Sequence, residues 1–371
     1  MNHPIEHKKK LKNKITYILN FLKLDKVIFA CLILLTCINL LVQYSANDQQ
    51  INKLLTDATY LILSFIILFI IANMNINYIK NSIIPFYIIT IILLLSVLLF
   101  GIGSHGAKRW LNIGIRLQPS ELSKLSILLI LSYYFSNKPV IKIMQYLQAA
   151  VLILIPVALI IKQPDLGTAI LVFISGFFIM FLAGFPWKII IIGIVVFCCS
   201  TPLVWHFLHA YQQHRIITLF SPQSDPLGKG YHIIQAIIAI GSGGFFGKGY
   251  LQGTQTHLDF IPEKHTDFVI TVIAEEFGFL GILIILSIYF ILILRTLKLM
   301  NYVYDKFAKF FIGGFILAFS SYIIINMGMV AGILPVVGVP LPLISYGGTA
   351  TIVLMAGFGV VLAIAKQYKY S

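Results

Sequence analysis

The sequence predicts an all-α polytopic membrane protein with about ten spans. Three observations carry this. The 371 residues are 59 % hydrophobic and only 11 % charged, whereas a soluble domain carries about 25 % charged residues. Apolar runs of about 18–22 residues, the length that crosses a bilayer as helix, recur along nearly the whole chain. Lysine and arginine are also distributed unevenly between alternate loops, as membrane topology demands. No repeat, low-complexity tract or separate soluble composition interrupts the pattern, so residues 1–371 read as a single membrane domain.

Segment 1–25 is Lys-rich and is expected in the cytoplasm. Its apolar stretch Ile15–Leu22 either lies along the inner membrane surface or extends the first span. No small-residue cleavage site follows the run beginning at Val27, so it reads as a retained span rather than a leader. Spans are expected at about 26–45, 56–75, 82–101, 120–136, 145–162, 166–184, 187–208, 267–295, 307–331 and 344–365. An even count places both ends of the chain on one side. If that side is the cytoplasm, 17 of the 27 lysines and arginines fall inside and 9 outside, with Lys124 within a span. The net charge of +14 then reflects topology and anionic head groups rather than nucleic acid. Trp110, Trp187 and Trp205 fall near span ends, as interfacial aromatics do. Cys31, Cys37, Cys198 and Cys199 lie in apolar runs, with neither a disulfide framework nor metal-ligand spacing.

The outer loops carry the chemistry. The segment Gly103–Lys124, GSHGAKRWLNIGIRLQPSELSK, gathers Lys108, Arg109 and Arg116 where positive charge is disfavoured. Such a cluster suits a phosphate or pyrophosphate; Arg109 beside Trp110 could equally anchor the interface. Glu121 and Lys124 stand at i,i+3 spacing and can pair on one helix face. In Lys162–Ala169, KQPDLGTA, Pro164 ends one helix and Asp165 can cap the next.

The loop at 209–266 is long enough to be functional. It carries Arg215, and its stretch YHIIQAIIAIGSGGFFGKGYL should fold onto the membrane surface as short helices, with glycine turns at Gly241, Gly243 and Gly244. It runs into IPEKHTDFVITVIAEEFG, Ile261–Gly278, where Glu263, Lys264, His265, Thr266 and Asp267 precede an apolar helix bearing Glu275 and Glu276. Ionisable groups inside a span cost roughly 2.5–3.5 kcal/mol each, which points to function. Thr266 or Asp267 could simply cap the helix, but capping leaves the two glutamates unexplained. Thr271, Ala274, Gly278 and Gly281 fall within about 40° of Asp267 on the helix wheel. This small-residue groove could hold a lipid tail or, as is commoner for such patterns, a packed neighbour. Glu275 lies ~12 Å deeper by helical rise.

In Ile325–Ala350, Pro335, Pro340 and Pro342 break any continuous helix. Ser345, Gly347 and Gly348 then form a turn into the tenth span, which suits either an anion or tight packing. GSGGFFGKG is not a P-loop, and neither a dinucleotide fingerprint nor a Gly-x-Ser-x-Gly nucleophile elbow is present. Any reaction must therefore be driven by an activated substrate from the membrane.

Taken in order, GAKRWLNIG…QPSELSK, QPDLGTA, DPLGKGYHIIQAIIAIGSGG, GKGYLQGTQ, IPEKHTDFVITVIAEEFG and NMGMVAGILPVVGVPLPLISYGGT resemble the SEDS family of bacterial peptidoglycan polymerases. GYHIIQAIIAIGSGG is similar to the RodA (elongation) branch rather than the FtsW (division) branch. Lys264 and Phe277 stand where Arg and Leu would be expected. The resemblance implies a ten-span glycosyltransferase of the cytoplasmic membrane, polymerising lipid II at the outer face, with Asp267 as the essential carboxylate. The substrate-binding candidates are Lys108, Arg109, Glu121, Lys124, Arg215, Lys264, His265, Ser345 and Gly347. The implied partners are a class B penicillin-binding protein transpeptidase, other elongation-complex membrane proteins and membrane lipid, with no nucleic acid. A divalent cation such as Mg2+ is the candidate cofactor. A lipid II flippase would use the same cations and intramembrane charges, but it needs polar groups at both faces. A structural scaffold leaves Asp267 without a role.

Overall fold

The computed structural model describes residues 24–369 except 105–106, 113–115, 139–141, 208–212, 214–216, 219–228, 259 and 262. The expected surface segment Ile15–Leu22 lies outside the described residues. Helices occur at every expected span: α1 Lys26–Ala46, α2 Ile51–Ala72, α3 Ile76–Phe100, α4 Pro119–Ser136, α5 Ile143–Lys162, α6 Leu166–Leu182 and α7 Trp187–Phe207. The loop helices α8 Lys229–Gly243 and α9 Thr254–His257 follow, then α10 Val269–Leu299, α11 Lys306–Val330 and α12 Gly348–Lys369. Seven are long and apolar enough to cross a membrane, and two more apolar helices are shorter. Pro119–Ser136 is almost wholly buried in protein.

Local signals start these helices. The Asp25 carboxylate accepts from Val27 N–H at 3.2 Å and caps α1, Asn75 caps α3, and Asp305 caps α11. Proline at the first position of α4 forfeits only a donor that would have had no helical partner. α4, α11 and α12 form the centre. α12 packs along α2, α4 against α3 and α6, and α11 against α4 and α6. The apolar exposure of α2, α3, α5 and α7, with Ile62, Ile88, Val151 and Ile192 all open, is the surface that lipid would cover.

Contacts between helix ends order the bundle. Arg295, late in α10, donates to Asp25 at the start of α1 at 2.8 Å. Lys366, late in α12, donates to Asn73 after α2 at 2.7 Å. Lys80, early in α3, pairs with Asp305 before α11 at 2.9 Å. The start of α1 and the end of α12 therefore belong to the same end of the bundle.

Two details depart from the expectations. Between α3 and α4 lies a small antiparallel sheet in the order β1 Ile102–Ser104, β2 Ala107–Asn112, β3 Arg116–Leu117. The expected all-α fold is thus not wholly without strands, because a short polar loop can satisfy its backbone by pairing with itself. Gly241 and Gly243 do not turn the chain but sit inside α8; the turns fall at Gly244, Gly247 and Gly249, each with positive φ.

Candidate active site

At the end of the bundle holding the starts of α4, α6, α10 and α12 lies a cavity of about 410 Å3, lined in part by Arg109, Glu121, Lys124, Asp165, His232, Asp267 and Gly347. Each arrives by a local cause. β2 carries Arg109 inward, while Lys108, its neighbour on an alternating strand, is exposed and does not line the cavity. Asp165 caps α6, accepting from Thr168 N–H at 3.3 Å and from its hydroxyl at 2.9 Å. The same carboxylate accepts from Gln118 Nε2 at 3.3 Å and lies 3.9 Å from an Arg109 nitrogen. Arg109 also donates to the Pro164 carbonyl. One residue thus starts a helix and steadies a guanidinium.

Glu121 and Lys124 pair at 2.7 Å, both buried. Lys124 Nζ stands 5.2 Å over the Tyr322 ring, a cation–π contact.

Asp267 is held through its backbone. Three successive carbonyls accept from three other parts of the chain. The His265 carbonyl takes Tyr346 N–H at 2.9 Å and Gln43 Nε2 of α1 at 2.9 Å. The Thr266 carbonyl takes the Ser345 hydroxyl at 2.5 Å. The Asp267 carbonyl takes Asn326 Nδ2 of α11 at 2.9 Å. Asn326 Nδ2 also reaches the Val339 carbonyl at 2.6 Å, tying the proline-rich turn to the same point. The half-buried Asp267 side chain reaches the cavity, and a Cβ on Gly338 would stand 3.4 Å from its Oδ2. Neither Asp267 nor Thr266 supplies the helix cap among the described residues: the N-cap of α10 is Phe268, and Thr266 Oγ1 donates to Glu263 at 2.8 Å.

Ser345, expected at an anion site, is a clamp. Its hydroxyl accepts from Leu341 N–H at 2.8 Å as well as donating to Thr266. Gly348 packs tightly, since a Cβ there would meet the Tyr60 ring at 2.6 Å. Lys264, expected among the substrate cations, is buried away from the cavity and donates to Asp48 and to the Thr256 carbonyl, both at 2.8 Å. His265 lines a neighbouring cavity of about 490 Å3 with Arg116, Trp110 and Tyr346. Burial holds its imidazole below the usual histidine range, helped by Lys53 and Lys264 and opposed by Glu263 and Asp48. Burial likewise raises the Tyr346 phenol. Arg215 lies outside the described residues.

The small-residue groove below Asp267 is filled by protein. α10 breaks at Gly278, whose φ of 66° and ψ of −161° suit only glycine. The broken ends are completed by residues 244–249. Phe279 and Leu280 N–H donate to the carbonyls of Gly244 and Phe245, and Lys248 and Gly249 N–H donate to those of Glu275 and Glu276. Gly243 meets Ala274 so closely that a Cβ there would fall 1.9 Å from its carbonyl oxygen. Packing, not a lipid tail, occupies this face.

Sequence reasoning did not single out Gln118, His232 and Asn326, and it gave Asp165 only a cap. The signal for His232 and Asn326 was a polar residue in an apolar stretch. Arg109 Nε and His232 Nδ1 are buried without a hydrogen-bond partner among the described residues. Buried polar atoms of this kind call for a ligand or water. No three His, Cys, Asp or Glu side chains among the described residues form a ligand set.

The sequence and the fold are similar to those of known proteins. Residues 19–370 match the FtsW/RodA/SpoVE family, described as cell cycle protein. The peptidoglycan glycosyltransferase MrdB of Escherichia coli K12 is 45 % identical over 351 residues, covering 93 % of this chain and 94 % of that protein. The peptidoglycan glycosyltransferase RodA of Treponema pallidum is 32 % identical, covering 75 % and 81 %. Among solved structures, a chain from a peptidoglycan synthase complex that coordinates polymerization and crosslinking superposes with a TM-score of 0.82 at 30 % identity, covering 94 % of this chain and 100 % of its own. The rod shape determining protein RodA of Thermus thermophilus gives 0.72 at 28 % identity, covering 94 % and 99 %. The chain therefore belongs to the FtsW/RodA/SpoVE family.

Proposed function

We propose that this protein is a peptidoglycan glycosyltransferase of the RodA type, which polymerises lipid II at the outer face of the cytoplasmic membrane and releases undecaprenyl pyrophosphate. The observation that carries the reading is the cavity joining Asp267 to Arg109, Glu121, Lys124 and Asp165 at one end of a membrane bundle. Lipid II brings its own leaving group, which accounts for a site without a nucleotide fold. Arg109, whose Nε has no hydrogen-bond partner among the described residues, suits the pyrophosphate. Asp267 accepts the proton of the acceptor sugar hydroxyl as that oxygen attacks the donor's anomeric carbon, and the bond to pyrophosphate breaks. A base is effective only when held within hydrogen-bond reach of its proton, and the three clamped carbonyls at 265–267 supply that positioning.

The excess of lysine and arginine in alternate loops supports cytoplasmic termini and an external Asp267 end. The likeness to a synthase complex supports a class B penicillin-binding protein transpeptidase as partner, with other elongation-complex membrane proteins around it. A flippase would need a polar path between the two ends. Ile127, Leu131, Val172, Ile316 and Phe319, each at most 1 % exposed, instead fill the core of α4, α6 and α11.

The test is polymerisation of labelled lipid II by purified protein with its transpeptidase partner, comparing wild type with Asp267→Asn. Asparagine keeps the shape and every backbone clamp, so the variant should insert and bind its partner. Loss of a general base typically costs about 10²–10⁴-fold in rate. Near-normal glycan synthesis by Asp267→Asn would remove the carboxylate from the chemistry.

A further inference from the structure

At the opposite end of the bundle from Asp267, a second cavity of about 410 Å3 lies between α4, α5, α6 and the start of α11, and three lysines line it: Lys138, Lys306 and Lys309. We propose that it is a binding site for the phosphodiester head group of an anionic phospholipid, such as phosphatidylglycerol.

The charge arrangement is unusual for mere topology. Lys306 and Lys309 occupy the first turn of α11, which carries no acidic residue. The helix dipole disfavours cations there and favours an anion. Asp305, the cap, offsets this only in part, because its carboxylate is also engaged by Lys80 at 2.9 Å. Lys138 comes from a different element, just past α4, and stands 5.3 Å over the Tyr134 ring. Lysines from two helix ends thus share one concavity, where an anion would relieve their mutual repulsion and the dipole together.

The cavity's size and level identify the anion. At roughly 30 Å3 per water, it has room for about a dozen waters, far more than a single ion needs. Phe310 and Tyr146 supply an apolar wall, and exposed Gly184 opens its edge. Trp187, three positions on and 65 % exposed, marks the membrane interface beside it. Basic pockets between spans at this level suit lipid head groups.

The full-length protein in phosphatidylcholine nanodiscs, titrated with phosphatidylglycerol and read by native mass spectrometry and thermal unfolding, tests this. Wild type should retain phosphatidylglycerol saturably and unfold at a higher temperature with it. Lys309→Gln, at an exposed position that folding tolerates, should weaken retention about fivefold, the effect of about one surface lysine. The triple change Lys138→Gln, Lys306→Gln, Lys309→Gln should abolish it. Lys188→Gln with Lys298→Gln, basic positions at the same end but outside the cavity, should leave it unchanged. Equal loss in that control pair, or no preference over phosphatidylcholine in wild type, overturns the site. Displacement of the lipid by millimolar inorganic phosphate overturns the lipid assignment in favour of a free-anion site.

Discussion

Lys248, in the long loop, donates to Glu275, inside α10, at 2.7 Å, although sequence hydropathy places that glutamate in a span. The same carboxylate accepts from Thr254 N–H at 2.8 Å, Thr254 Oγ1 at 3.1 Å, Gln255 N–H at 2.9 Å and Thr256 N–H at 3.0 Å. Glu275 thus satisfies the open donors at the start of α9 and fastens the loop to the helix that follows Asp267. We expect Glu275→Ala to destabilise the protein by about 3–5 kcal/mol, the cost of breaking a buried pair. Lys248→Ala should cost about 1 kcal/mol, because its side chain is 26 % exposed and screened by water. Thermal unfolding in detergent measures both; equal losses would show that the backbone donors contribute little.

The break at Gly278 is a second point of dependence. Alanine there must adopt φ 66° and meet Gly247 N at 2.3 Å. Strain of that kind costs about 1–3 kcal/mol before the clash is counted. Gly278→Ala should fold poorly, whereas Gly241→Ala, inside α8 with nothing within 4 Å of its added Cβ, should be neutral or slightly stabilising. Membrane yield and unfolding temperature distinguish the two, and a Gly278→Ala protein as stable as wild type contradicts the backbone account.

The pair Glu121 and Lys124 faces the cavity while buried. Removing either partner leaves an uncompensated charge, at about 3–5 kcal/mol. Glu121→Ala and Lys124→Ala should each reduce yield or lipid II polymerisation, and exchanging the two residues should restore part of it. If both single variants match wild type, the pair has neither role.

Acid should loosen the Asp267 segment through His265. Burial holds its folded-state value below the ordinary 6.5, so the unfolded chain binds the extra proton first. The neutral ring's contribution is therefore complete above about pH 6.5 and is lost as pH falls toward the lower folded-state value, by at most about 1.4 kcal/mol per pH unit. His265→Phe keeps a ring against Tyr346, 6.4 Å away between centroids, and should flatten this part of the stability–pH curve. An unchanged slope in that variant would assign the acid sensitivity to other groups.

Much of the protein was legible locally. Spans follow from apolar run length, and each expected span holds a helix, because in lipid a chain must satisfy its backbone within itself. The i,i+3 pairing of Glu121 with Lys124 and the capping by Asp165 are likewise short-range, and both formed. What the sequence could not decide was which partner meets which across the fold. Lys264 looked like a substrate cation because Asp48, 216 residues away, is invisible from its neighbourhood. Ser345 looked like an anion donor because the Thr266 carbonyl, 79 residues off, had not yet been placed beside it. The groove under Asp267 became a helix break, filled by residues 244–249. His232 entered the cavity only once α8 folded back against α10. Hydropathy and capping act over one helical turn and are written in order along the chain. Hydrogen bonds and ion pairs between distant segments depend on packing, and packing alone decided which of the expected site residues reach the cavity and which hold the frame around it.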